Sequence, residues 1–242
     1  MFSIFNKEIY LYFSSLSAYI IMIFFITCVG IMVWVYPNIN ILAGGYADLS
    51  IFFTISPYIY SFLIPAITMN MISEEFNTGT MELLITSSKS IYDIILGKYL
   101  ATVCIIFIIL IFTIIYPISL YFLSIPEGSI DIGSIMGSYF GLFCLCLLFA
   151  AIGIFTSACV RSSLIAFLLG SVLCVFLFKG FDVIANLIQW NKYVLQIMNI
   201  GILSHYDSLS KGLINTNDIN YFVILIIFFI YLSNRCIRNN LK

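Results

Sequence analysis

Residues 73–90 read SEEFNTGTMELLITSSKS, and the reading of this stretch decides the fold. It places three carboxylates, Glu74, Glu75 and Glu82, within nine positions of a chain that is 62% hydrophobic and 9% charged. Long apolar runs flank it on both sides. A soluble domain carries about 25% charged residues, so the polar stretch is the exception and the apolar runs are the rule. With a mean hydropathy of +1.13 and recurring runs of mostly apolar residues, the pattern is that of membrane-spanning helices. Such helices satisfy their backbone hydrogen bonds internally, which lipid demands. The fold class expected is an all-α integral membrane protein. The net charge of −1 comes with no basic patch, which excludes nucleic acid as a partner.

Six spans are predicted, at about residues 16–36, 51–72, 99–123, 132–158, 164–181 and 219–233, in one transmembrane domain covering 1–242. Pro37 closes the first, and Ser50 is a candidate cap for the second. A polar turn over 92–98 leads into the third, and Pro117 lies near its far end. The sixth is shorter than the roughly 20 residues that cross a hydrocarbon core, so it borrows polar flanks or thins the bilayer. The six helix cores are expected to hold no buried charge.

Lys/Arg bias sets the orientation. Lys7, Lys89, Lys98, Arg161, Arg235, Arg238 and Lys242 fall on the side of the termini, whereas the opposite loops 37–50 and 124–131 contain no Lys or Arg. Lys179, Lys192 and Lys211 belong to the long fifth connection and weigh less. Both termini and residues 73–90 are therefore expected in the cytoplasm. No basic n-region with a cleavage site opens the chain, so no leader is expected. Phe5, Ile9, Tyr12, Phe13 and Leu16 share helical spacing with Lys7 and Glu8 elsewhere. This predicts an amphipathic helix in the membrane interface, the alternative being a continuation of the first span.

An acidic residue at mid-bilayer costs about 2.5–3.5 kcal/mol, so residues 73–90 must leave the membrane. Gly79 suits a helix cap, and Glu82 three residues on makes half a capping box. Met81, Leu84 and Ile85 then share one face, with Glu82 and Thr86 on the other. A short amphipathic helix results. Its apolar face needs a cover, either the bilayer interface or a groove on a partner protein.

The remaining chemistry is sparse. The seven cysteines lie mostly in apolar runs and behave as small hydrophobes. Cys144 and Cys146 face nearly opposite ways on a helix, and His205 is the only histidine, so neither a disulfide framework nor a metal site is expected. Pro57 and Pro65 in the second span are a candidate hinge, or plain kinks that membrane helices tolerate. Gly137 and Gly141 form G-x-x-x-G, a candidate helix-packing seam, between subunits or within one. His205 and Asp207 read as polar residues of the outer loop.

EEFNTGTMELLITS followed by IILGKYLA resembles the first cytoplasmic loop of ABC-2 type exporter permeases. The matching positions are Glu74, Glu75, Gly79, Thr80, Glu82, Leu84, Gly97 and Lys98. KEIYLYFSSLSAYI, YPNINILAGGYADLSIFF, FLIPAITM and HYDSLSKGLINTNDINYF extend the similarity over nearly the whole chain, toward the gliding-motility-associated permeases of Bacteroidetes. Two departures stand out: Phe76 replaces a basic residue often found after the acidic pair, and Ser87-Ser88 replace a frequent Pro. The resemblance implies six spans preceded by an interfacial elbow helix, and short helices re-entering the outer leaflet before the last span. It implies a bacterial inner-membrane subunit that works with a cytoplasmic ABC ATPase and a second membrane subunit or a homodimer partner. Residues 74, 75, 79–82, 84 and 85 would couple to that ATPase. Residues 182–216 fit the re-entrant reading, with amphipathic pieces at 183–190 and 193–200, polar breaks at Asn191-Lys192 and 204–207, and Trp190 and Tyr193 suited to an interface.

No G-x-x-x-x-G-K-[ST] occurs, so the chain has no such phosphate cradle, no enzyme activity or cofactor is expected, and energy must come from elsewhere. Glu74-Glu75 would fit an E-E-x-x-x-R metalloprotease motif, but Gly79 stands where the Arg should be. A channel or structural subunit uncoupled from any ATPase is the alternative, and it predicts a polar stripe through the spans.

Overall fold

The computed structural model describes residues 1–35, 48–86, 90–125, 128, 130–187 and 194–240. Pro37, Ser87-Ser88, Lys89, Trp190, Asn191-Lys192, Tyr193 and Lys242 lie outside the described residues. The helices are α1 (Phe2–Ser14), α2 (Leu16–Trp34), α3 (Ser50–Asn77), α4 (Thr80–Thr86), α5 (Ile91–Thr113), α6 (Ile115–Leu123), α7 (Ile132–Cys159), α8 (Ser163–Val175), α9 (Phe181–Leu187), α10 (Val194–Ile200), α11 (Ile202–Ser210) and α12 (Thr216–Asn240). Among the described residues there is no strand. Among the described residues, five helical stretches are long and apolar enough to cross a membrane: Ser50–Asn77, Ile91–Leu123, Ile132–Cys159, Ser163–Leu187 and Thr216–Asn240; α1 and α2, bent by 70°, bring the number to six if the pair counts as one span. The chain is an all-α, multi-pass membrane protein.

Local chemistry sets the boundaries, and several differ from the sequence reading. Ser15 sits in extended backbone between α1 and α2, and its hydroxyl donates to the Tyr12 carbonyl. The cap of α3 is not Ser50, which is its first residue; Asp48 Oδ1 accepts from the Ser50 amide at 3.0 Å. α3 then runs on to Asn77, so Glu74 and Glu75 are helical rather than part of a loop. Ser90 Oγ accepts from the Asp93 amide at 3.1 Å, a side-chain N-cap. The stretch 92–98, expected as a polar turn, is therefore the first two turns of α5.

α7 is the hub. Of its most apolar window 78% is buried inside the protein, against 22% for α12, so α12 leaves most of that window at the protein's surface. Small residues bring α7 close to its neighbours. A Cβ on Gly153 would collide with Thr68 Oγ1 of α3. One turn further, Ser157 Oγ accepts from the amides of Ile72 and Ser73, both at 3.1 Å, and donates to the Met69 carbonyl at 3.0 Å. α3 and α7 are thus stitched together at their shared end. At the opposite end, Gly137 and Gly141 pack against α11 and the turn after it: a Cβ would lie 2.7 Å from Gly212 Cα and 2.5 Å from Leu209 Cβ. The G-x-x-x-G face is occupied within the subunit.

The prolines explain two further contacts. Proline lacks an N–H and frees the carbonyl four residues earlier. For Pro57 that is Phe53, whose oxygen accepts from Tyr206 Oη at 2.7 Å. For Pro117 it is Thr113, whose oxygen accepts from Tyr139 Oη at 3.0 Å, where α5 gives way to α6. Pro57 and Pro65 both lie buried inside one continuous helix. Residues 204–207, expected as a break, are inside α11. Ile202, Tyr206 and Leu209 recur at helical spacing and are buried, which outweighs the polar residues between them. A π turn over Phe176–Gly180 carries the long helix that begins with α8 through to Leu187.

Candidate functional site

The site begins with a glycine. A Cβ on Gly97 of α5 would lie 3.1 Å from the Met1 carbonyl oxygen and 3.2 Å from Ile4, so its absence lets α1 pack directly on α5. That approach sets Lys98 opposite Glu8. The face of α1 that the protein covers is Ile4 and Glu8; Phe5, Ile9, Tyr12 and Phe13 are half-buried and Leu16 is exposed. The apolar stripe read from the sequence is therefore not the inward face, because the ion pair turns Glu8 inward.

Lys98 is fully buried, at 0% exposure. The sequence reading left it in a polar turn just before the third span, whereas it lies on α5 and points into the interior. Its Nζ lies 2.8 Å from Glu8 Oε1, 2.9 Å from Glu75 Oε1 and 2.6 Å from the Met71 carbonyl. An ammonium has three N–H donors, and three acceptors on α1 and α3 surround it. Lys7 closes the cluster from the rim, 3.2 Å from Glu75 Oε1 and 3.9 Å from Glu8 Oε1. Buried charges persist only when paired and hydrogen-bonded. The junction therefore clamps α1, α3 and α5 at one point.

Glu74 and Glu75, adjacent in sequence, part company here. Glu75 turns in and is 8% exposed; Glu74 faces out. Two residues beyond, α3 ends at Asn77, whose amide donates to the Arg161 carbonyl at 2.7 Å. Gly79 takes φ +70°, a left-handed conformation that favours glycine, and reverses the chain into α4. Thr78 Oγ1 and Thr80 Oγ1 share a hydrogen bond of 2.9 Å across this turn.

α4 is the short helix the sequence predicts, but its apolar face already has a cover. Met81 is 1% exposed within the protein core, and Leu84 and Ile85 are half-buried against that core. The outward side holds Thr80, Glu82, Leu83 and Thr86, with Leu83 69% exposed. Sequence spacing missed Leu83 as the exposed apolar residue, and it missed Lys98 and Glu8 as the partners of Glu75. The signal for the last was present: a glycine followed by a lysine, inside what proves to be the second turn of a helix, facing a Lys-Glu pair on the first.

A second polar cluster lies at the other end. His205 Nδ1 is 2.7 Å from Asp218 Oδ1, Nε2 is 2.9 Å from the Asn199 carbonyl, and Ser208 Oγ donates to Asp218 Oδ2. This ties α10, α11 and α12 together. Burial raises the Asp207 carboxyl above its usual range. Serine and histidine both bond the aspartate here, so the order needed for a nucleophilic triad, serine on histidine, is absent. Cys159 of α7 and Cys236 of α12 meet at 2.8 Å between sulfurs. Among the described residues no group of His, Cys, Asp and Glu is arranged to hold a metal ion.

No family model matches the chain, and no curated protein matches it.

Proposed function

We propose that the chain is the membrane-spanning permease subunit of an ATP-driven exporter of the ABC-2 type, driven by a separate cytoplasmic ATPase. In this reading α1 is an interfacial elbow helix, α2 completes a set of six spans, and α9 and α10 enter the outer leaflet before the last span. The termini and α4 face the cytoplasm, as the Lys/Arg asymmetry requires. The membrane is the bacterial inner membrane, and the pathway is completed by a second membrane subunit, either another copy or a relative.

One observation carries the reading. α4 hangs from the end of α3 through a single left-handed glycine and is joined to the body by Met81, and the α3 end it hangs from is itself held by the Glu75–Lys98–Glu8 junction. A push on its exposed side is delivered to α3, α5 and α1 together, because a buried ion cluster has few alternative arrangements and packed interiors transmit strain. Leu83 and Glu82 present that exposed side to a partner. The chain supplies the lever, and the nucleotide chemistry belongs to the partner.

Affinity purification of the tagged chain from its own host tests this. Co-purification of a polypeptide bearing a G-x-x-x-x-G-K-[ST] loop is expected, with no hydrolysis of ATP by the isolated chain. Robust hydrolysis by the chain alone, free of any other polypeptide, would overturn the assignment.

A further inference from the structure

A cavity of about 460 Å³ opens beside the charged junction, between α1, the start of α2 and the inner half of α3. Lys7, Lys98, Glu8, Glu74 and Glu75 line it. Two lysines against three glutamates leave one negative charge uncompensated. Two polar atoms of the lining are buried without a hydrogen-bond partner among the described residues: Glu75 Oε2 and Tyr12 Oη. Glu75 is only 8% exposed, so this is a carboxylate oxygen held away from bulk water with nothing donating to it. A buried acceptor left unmatched is costly, and the matching group is an N–H or O–H donor.

The surplus charge decides between donors. A cationic group satisfies the empty acceptor and is drawn to the acidic lining. The cavity wall decides between cations. Leu11, Ile21, Ala66 and Ile67 form an apolar side, which suits hydrocarbon and not a small hydrated ion. At the rim, the Lys7 side chain is 48% exposed and spends one hydrogen bond on Glu75 Oε1, leaving donors for an anionic oxygen nearby. A primary ammonium, a phosphate a few bonds away and acyl chains along an apolar wall are the parts of one molecule. We infer that this cavity binds the headgroup of an aminophospholipid, with its ammonium on Glu75 Oε2 and Tyr12 Oη, its phosphate toward Lys7 and its chains against Ile21, Ala66 and Ile67. The inference rests on the membrane fold alone and holds whether or not the chain works with an ATPase. It assigns the junction a lipid whose ammonium fills the empty acceptor and rigidifies the cluster.

Native mass spectrometry of the full chain, delipidated in detergent and titrated with dioleoyl lipids, tests it. Phosphatidylethanolamine is expected to bind at least tenfold more tightly than phosphatidylcholine, whose quaternary ammonium has no N–H to donate, and more tightly than phosphatidylglycerol. Glu75→Gln is expected to abolish the preference. Because that change also strips a partner from Lys98, Tyr12→Phe is the second variant. It leaves every ion pair intact and should narrow the preference about fivefold, one hydrogen bond's worth. Equal binding of the ethanolamine and choline lipids, tighter binding of phosphatidylglycerol, or a preference unchanged in both variants would overturn the inference. Free ethanolamine competing as well as the lipid would overturn the lipid assignment and leave a soluble amine site.

Discussion

Lys98→Met removes the centre of the junction while nearly preserving side-chain length and volume. The wild-type ammonium holds two carboxylates, at 2.8 Å and 2.9 Å, and one carbonyl, at 2.6 Å. The Lys98 side chain is 1% exposed and those of Glu8 and Glu75 are 10% exposed, so solvent screens little of the interaction. Removing one partner of a buried pair costs about 3–5 kcal/mol, because the other charge is left uncompensated. For a chain of this size that is a fall in melting temperature of roughly 6–20 °C. The triple variant Lys98→Met, Glu8→Gln, Glu75→Gln removes the stranded charges, and most of the lost stability should return. The pattern across variants is thus more diagnostic than any one value: contacting groups couple by about 0.5–3 kcal/mol. Thermal unfolding of purified protein in detergent reads this directly. A single Lys98→Met variant as stable as wild type, or a triple variant as unstable as the sum of its singles, would refute the clamp.

Three further outcomes are expected. On a cysteine-free background, single cysteines at Asp48 and Asp131 should react with impermeant reagent from outside and those at Thr86 and Asn239 only from inside; outside labelling of position 86 removes the orientation. Gly141→Ala puts a methyl 2.5 Å from Leu209 Cβ, and overpacking of this kind costs about 1–3 kcal/mol, so a lower melting temperature at unchanged expression is the expected result. Tyr206→Phe should cost about 1–3 kcal/mol by orphaning the Phe53 carbonyl, and adding Pro57→Ala should recover part of it, since the restored amide can bond that carbonyl; absence of any recovery would show that Tyr206 acts through packing instead.

Much of this architecture is legible in the residues. The apolar runs locate the long helices, because lipid admits little else, and the turn at Gly79 follows from the conformational freedom of glycine. What stays hidden is the set of distant pairings. Lys98 reads as a residue of a polar turn until the cap at Ser90 starts α5 early and carries it into the interior. Glu75 and Glu74 look equivalent, and only the direction of α3 separates an inward carboxylate from an outward one. α11 was obscured because Ser204, His205 and Asp207 dominate its composition, while the three residues that fix it, Ile202, Tyr206 and Leu209, lie spaced along one face. Met81 shows the limit of amphipathic patterns: they say that a face needs covering, and the tertiary fold decides whether the chain covers it itself.

In the proposed permease the outward side of α4 meets a cytoplasmic ATPase. A photo-crosslinking amino acid placed at Leu83, 69% exposed, and irradiated in intact cells tests that contact most directly. One major adduct is expected, whose partner peptides, identified by mass spectrometry, belong to a polypeptide carrying a phosphate-binding P-loop. An adduct formed only with lipid, or with a protein lacking any nucleotide-binding motif, would contradict it.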